Sequence, residues 1–123
     1  NAFKMKKETD AEKDARKKAI FSATVKSTEV PIKIAETALS AVGIMLKLVE
    51  IANKKAVSDS ITGLFNCYAG AVSSIAVARL NLSGTWDNPE IKANFISKVK
   101  SLEIEAENAL EDIRKSMTAN LSS

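Results

Sequence analysis

Two Pro and four Gly are the only strong breakers in 123 residues. An all-β sandwich or barrel needs turn signals roughly every 8–12 residues, so this chain is steered toward long helices. Its apolar positions agree, because they recur at intervals of three and four rather than two. Aromatic residues are 5% of the chain, so Ala, Val, Ile and Leu must fill the core. The length suits one domain, residues 1–123.

The pattern divides into four helices. The first is predicted over residues 9–28, opening on a capping box, Thr9 with Glu12 three residues later. Ala15, Ala19, Ala23 and Ser27 give it a narrow seam of small residues. Pro31 disfavours helical backbone at Val30, so this helix is expected to stop near Thr28. The second spans residues 31–52, with Pro31 at its first position. Ala35, Leu39, Val42, Leu46 and Val49 make its core stripe. Ile32, Ile34, Ile44, Leu48 and Ile51 widen that stripe, so the helix needs neighbours on more than one side.

The third helix is predicted over residues 59–82, with Ser58 as its N-cap. It is rich in small residues. Gly63 and Gly70 lie on one face, and each costs about 1 kcal/mol relative to Ala inside a helix. A backbone or a ligand approaching closely would explain them. Asp59, Asn66, Ser73 or Ser74, Val77 and Asn81 fall on the same stripe. The stretch "SGTWDNPE" is a loop, with Trp86 as a lid on the core. Asn88 caps and Pro89 opens a fourth helix, residues 89–119. The expected fold is all-α, an antiparallel bundle of four long helices.

Several function classes fall away. The net charge is only +3, and Glu8, Asp10, Glu12 and Asp14 interleave with the basic residues of the first turns. Lys4, Lys6 and Lys7 therefore read as solvated, and no nucleic-acid partner is expected. No uninterrupted apolar run reaches the ~18 residues of a membrane span, so no membrane partner is expected. There is no His, which removes the commonest general base and metal ligand, and no metal is expected. The single Cys67 reads as a small, partly buried hydrophobe and suits a reducing, cytoplasmic compartment. The chain begins with Asn rather than Met, so residue 1 is not expected to be the gene's start.

Asp59 is the sharpest candidate for chemistry. One reading makes it an acid complementing the helix dipole. The other makes it a working carboxylate. Asn66 and Asn81, in an otherwise apolar helix, need hydrogen-bond partners wherever they are buried.

The ordered set of motifs resembles a known family. "NAFKMKKETDAEKDARKKAI", "TEVPIKIAETAL", "ANKKAVSD" and "GAVSSIAVARLNL" look like the cyclodeaminase domain of formiminotransferase-cyclodeaminase and its stand-alone bacterial relatives. The resemblance implies an all-α homodimer that binds a tetrahydrofolate derivative as substrate, with no covalent cofactor. The reaction is conversion of 5-formimidoyltetrahydrofolate to 5,10-methenyltetrahydrofolate with loss of ammonia. The sister reaction is hydrolysis of methenyltetrahydrofolate. A non-catalytic helical dimerisation module, seamed by Gly63, Gly70 and Ser74, is the alternative from another class. Asp59 matches the family's Ser-Asp motif and takes the catalytic role. Ser58, Asn53, Gly63, Asn66, Asn81 and Lys4 are the substrate-binding candidates. Ala52, Ser73 and Val77 stand where the family usually has Gly, Gly and Asn. The family also carries an upstream glycine-rich segment that is expected to be missing here, so these 123 residues alone are expected to have weak activity or none.

Overall fold

The computed structural model describes residues 1–6 and 8–121. Lys7 lies outside the described residues. After a short 3₁₀ turn, Ala2–Lys4, three long helices follow: α1, Asp10–Ile51, α2, Lys54–Asn81, and α3, Pro89–Leu121. No strand occurs among the described residues.

The capping box forms as expected: Glu12 N–H donates to Thr9 Oγ1 at 3.1 Å, and Thr9 N–H donates to Glu12 Oε2 at 3.2 Å. The expected break at Pro31 does not. The first two predicted helices are one helix of 42 residues with Pro31 inside it, so the bundle has three long helices, not four. Pro31 is buried, and the carbonyl it leaves without a helical donor, that of Ser27, accepts instead from Asn81 Nδ2 of α2 at 2.7 Å. The start of α2 also differs. Asn53, not Ser58, is its N-cap, and its Oδ1 accepts from Lys55 N–H at 3.1 Å and Ala56 N–H at 3.0 Å. Asn and Ser cap about equally well, and the earlier of the two wins.

Only Ala52 and Asn53 join α1 to α2, so the pair is antiparallel and closely packed. Ser27 stands level with Asn81, and Met45 with Gly63. The third helix lies against both, held on the α2 side by the Arg79–Glu103 ion pair. One core cluster, built on Ile32, Ala35, Ile75, Phe95 and Val99, is closed by Trp86. Trp86 stands edge-on to Phe21 and Phe95, and its Nε1–H donates to the carbonyl of Asn81 at 3.3 Å, so it is the lid the sequence implied. A second cluster joins Val42, Val49, Leu64 and Ile113. The Ala15, Ala19, Ala23 and Ser27 series does not face the core. Phe21, Val25 and Thr28 take that side of α1.

Candidate active site

The N-terminal half of α2 gathers most of the predicted residues. The Asn53 cap fixes where the helix begins, which places Asp59 sixth in it, beyond the first turn. There the helix dipole has little left to offer a carboxylate, since its effect falls off within the first turn. Asp59 is exposed and makes no ion pair or hydrogen bond within the described residues. Ser58 is also exposed, and its carbonyl accepts from the Thr62 hydroxyl at 2.9 Å. One helical turn on from Asp59 comes Gly63. A Cβ there would stand 2.6 Å from Met45 Cε, so α1 and α2 pass closely at this level. Asn66 follows on the same face, exposed, and Gly70 after it with nothing nearby.

Asp59, Gly63, Asn66 and Gly70 thus form an open stripe on the side of the α1/α2 layer away from α3. Its neighbour on α1 is apolar: Ile44, Leu48 and Ile51 are all exposed beside it. Further along, an open groove of ≈ 450 Å³ between the two helices is lined by Lys33, Ile34, Thr37, Ala38, Ala41 and Cys67. An unpaired carboxylate beside carboxamide and apolar surface suits a flat, partly cationic ligand. It can take a proton or offset a developing positive charge.

Two predicted residues do not join this stripe. Asn81 is roughly 30 Å from Asp59 along the helix axis at 1.5 Å per residue. Its side chain is already bonded to Ser27 and its carbonyl to Trp86. Lys4 is farther still. Its 3₁₀ turn packs on the start of α1, where the Arg16 guanidinium lies 5.8 Å from the Phe3 ring centroid. That end is roughly 50 Å from Asp59. Asn53 is near Asp59 but its side chain is engaged in capping.

Of the apolar surplus on the second predicted helix, Ile32 is buried in the core, whereas Ile34, Ile44, Leu48 and Ile51 face outward and border the stripe. Helix α2 is, by length and composition, apolar enough to cross a membrane, although it holds no uninterrupted apolar run of ~18 residues. Its Ala and Gly residues raise the average without forming such a run.

An all-α chain with an unpaired acid on an open, glycine-notched helix face defines a helical domain with a candidate carboxylate site. The sequence matches formiminotransferase-cyclodeaminase over residues 1–118, and the chain belongs to that family. No curated protein matches it.

Proposed function

We propose that this chain acts on a tetrahydrofolate derivative as a formimidoyltetrahydrofolate cyclodeaminase, working as a cytoplasmic homodimer. The family supports a folate-related cyclodeaminase domain. The observation that carries the specific reading is Asp59: an exposed carboxylate without a structural bond, on the same open face as Asn66, Gly63 and Gly70. In the reaction the folate N10 attacks the formimidoyl carbon, the C–N bond to the departing nitrogen breaks, and that nitrogen leaves as ammonia. The product ring carries positive charge. Asp59 accepts the N10 proton and passes it to the departing nitrogen, which takes its other proton from solvent, so Asp59 is again a carboxylate when it offsets the ring charge. Ser58, its neighbour on the helix, helps orient it, and Asn66 offers a carboxamide to the pterin. Gly70, with nothing within 4 Å of where a Cβ would stand, leaves room for the ring beside the backbone, whereas the space over Gly63 is filled by Met45.

The test is incubation of the chain with 5-formimidoyltetrahydrofolate, following ammonia and the methenyl chromophore. Release of both supports cyclodeamination. Hydrolysis of methenyltetrahydrofolate without ammonia release from the formimidoyl compound assigns the sister reaction. Failure to bind tetrahydrofolate at all leaves a helical interaction module and refutes the proposal.

A further inference from the structure

A tetrahydrofolate is a linear molecule. Its pterin and its glutamate tail leave the N5–N10 reaction centre in opposite directions. With Asn66 at the pterin and Asp59 at N10, the pterin points toward the C-terminal end of α2. The benzoylglutamate must then run the other way, toward the start of α2. Asn66 is roughly 10 Å from Asp59 along the axis on one side, and Lys55 roughly 6 Å on the other.

Lys55 precedes Asp59 by one turn and falls on the same face as Asp59 and Asn66, whereas Lys54 is turned away from it. It is exposed and makes no ion pair among the described residues. A lysine ahead of an acid is the weaker order for a helical ion pair, and a cation in the first turn opposes the helix dipole. Neither gives Lys55 structural work. The backbone N–H groups of Lys55 and Ala56 are already taken by Asn53 Oδ1, so the side chain is the free donor here, not the helix end. Across from it, α1 offers an apolar shelf. Met45 stands level with Gly63, so in this antiparallel pair Ile51 stands level with the turn between Lys55 and Asp59, and it is 78% exposed. Glu50, the last acid of α1, lines the groove shared with α3 instead.

We propose that the p-aminobenzoyl ring of the substrate lies on Ile51 and that the Lys55 ammonium holds its glutamate carboxylate. This rests on the folate reading above and adds the residue that reads the tail. The span fits. From N10 across the benzoyl ring to the glutamate α-carboxylate is roughly 9 Å, at about 1.3–1.5 Å per bond. A lysine side chain reaching ~6 Å from a Cα one turn before Asp59 covers that distance. The pair it makes is partly exposed and screened by salt, so Lys55 binds the substrate and takes no part in the chemistry.

The test compares tetrahydrofolate with tetrahydropteroate, the same molecule ending at the benzoyl carboxyl. Equilibrium dialysis against the full chain is expected to show tetrahydrofolate bound about 3–10-fold more tightly, a preference that narrows at about 0.5 M salt. Lys55→Ala should abolish the preference by weakening tetrahydrofolate while leaving tetrahydropteroate within about twofold. Lys55→Arg should keep it. Ile51→Ser should weaken both ligands alike, because both carry the ring. Both positions are exposed, so helical circular dichroism and Tm should hold in every variant. Lys55→Ala weakening both ligands equally, or neither, overturns the proposal. A wild type that binds the two ligands alike also overturns it and leaves the folate reading standing. A wild type that binds neither sinks the folate reading and this placement with it.

Discussion

Asn81 Nδ2 donates to the carbonyl oxygen of Ser27 at 2.7 Å, and Ser27 is the residue four before Pro31. A proline inside a helix removes one donor and pushes its ring against that same carbonyl, at a cost of about 3 kcal/mol or more. Here the freed carbonyl is taken by a carboxamide from the neighbouring helix. The side-chain hydroxyls of Thr24, Ser27 and Thr28 also bond back to carbonyls one turn earlier, in the turns leading to Pro31. Asn81 in turn is held by the Trp86 indole, whose N–H donates to its carbonyl. One asparagine, by its carboxamide and its backbone carbonyl, therefore joins the proline turn of α1, the end of α2 and the lid of the core.

The first prediction follows from that joint. Asn81→Ala should cost about 0.5–1.5 kcal/mol, the net worth of a hydrogen bond at an exposed site where water can replace the donor. At fixed protein concentration, Tm should fall by roughly 2–8 °C. The decisive measurement is a double-mutant cycle with Pro31→Ala, which returns a backbone donor to Ser27. On that background Asn81→Ala should cost less, with a coupling of roughly 0.5–1 kcal/mol. Equal costs on both backgrounds would show that Asn81 is not standing in for the missing amide.

The same bond explains what could and could not be read from the sequence. The helical class was legible from the breakers and the spacing, and so were the Thr9 cap, the Trp86 lid and the start of α3 at Pro89. The break at Pro31 was inferred from local rules, and those rules are sound for an isolated chain. They were overridden by a donor 54 residues away, which no local reading contains. The site divides the same way. Asn53, Ser58, Asp59, Gly63 and Asn66 are near in sequence and stay near on one helix. Asn81 and Lys4 depend on where helices end and how they are stacked. A helix that carries them away from Asp59 by 1.5 Å per residue is invisible until its full length is known.

A second prediction concerns Asn53. Its side chain accepts from two backbone amides, so Asn53→Ala should cost about 1 kcal/mol and lower Tm by several degrees. Asn53→Asp and Asn53→Ser should keep most of that stability. Comparison of the three by thermal denaturation checks the cap. If Asn53→Asp holds Tm yet raises KM for the folate, Asn53 also touches substrate; an unchanged KM confines it to capping.

The glycines make a third, contrasting pair. At Gly43 a Cβ meets nothing within 4 Å, so Gly43→Ala should stabilise by about 0.5–1 kcal/mol through helix propensity alone. At Gly63 the same methyl would drive into Met45 Cε. Methionine is flexible enough to move aside, so the gain should be largely cancelled, leaving a change within about 0.5 kcal/mol. Gly63→Leu exceeds what Met45 can concede and should destabilise by about 1–3 kcal/mol. Denaturant midpoints of the three variants test this. A Gly63→Ala protein as stable as Gly43→Ala would mean that the close passage of α1 and α2 exerts no constraint.

The last prediction decides whether Asp59 does chemistry. As the sixth residue of α2, exposed and unbonded, it has little structural work to lose. Asp59→Asn keeps the size of the side chain but removes its charge and its ability to take a proton. A surface substitution of that kind should change stability by no more than about 0.5 kcal/mol. If Asp59 accepts the N10 proton and offsets the charge of the methenyl product, turnover should fall by roughly 10²–10⁴ while Tm stays in place. Asn66→Ala, on the same face, should raise KM more than it lowers kcat, because a carboxamide that holds the pterin binds ground state and transition state alike. Turnover and Tm measured on the same preparations separate the two roles. An Asp59→Asn enzyme with near-normal turnover would make the carboxylate an ordinary surface acid and refute its catalytic role.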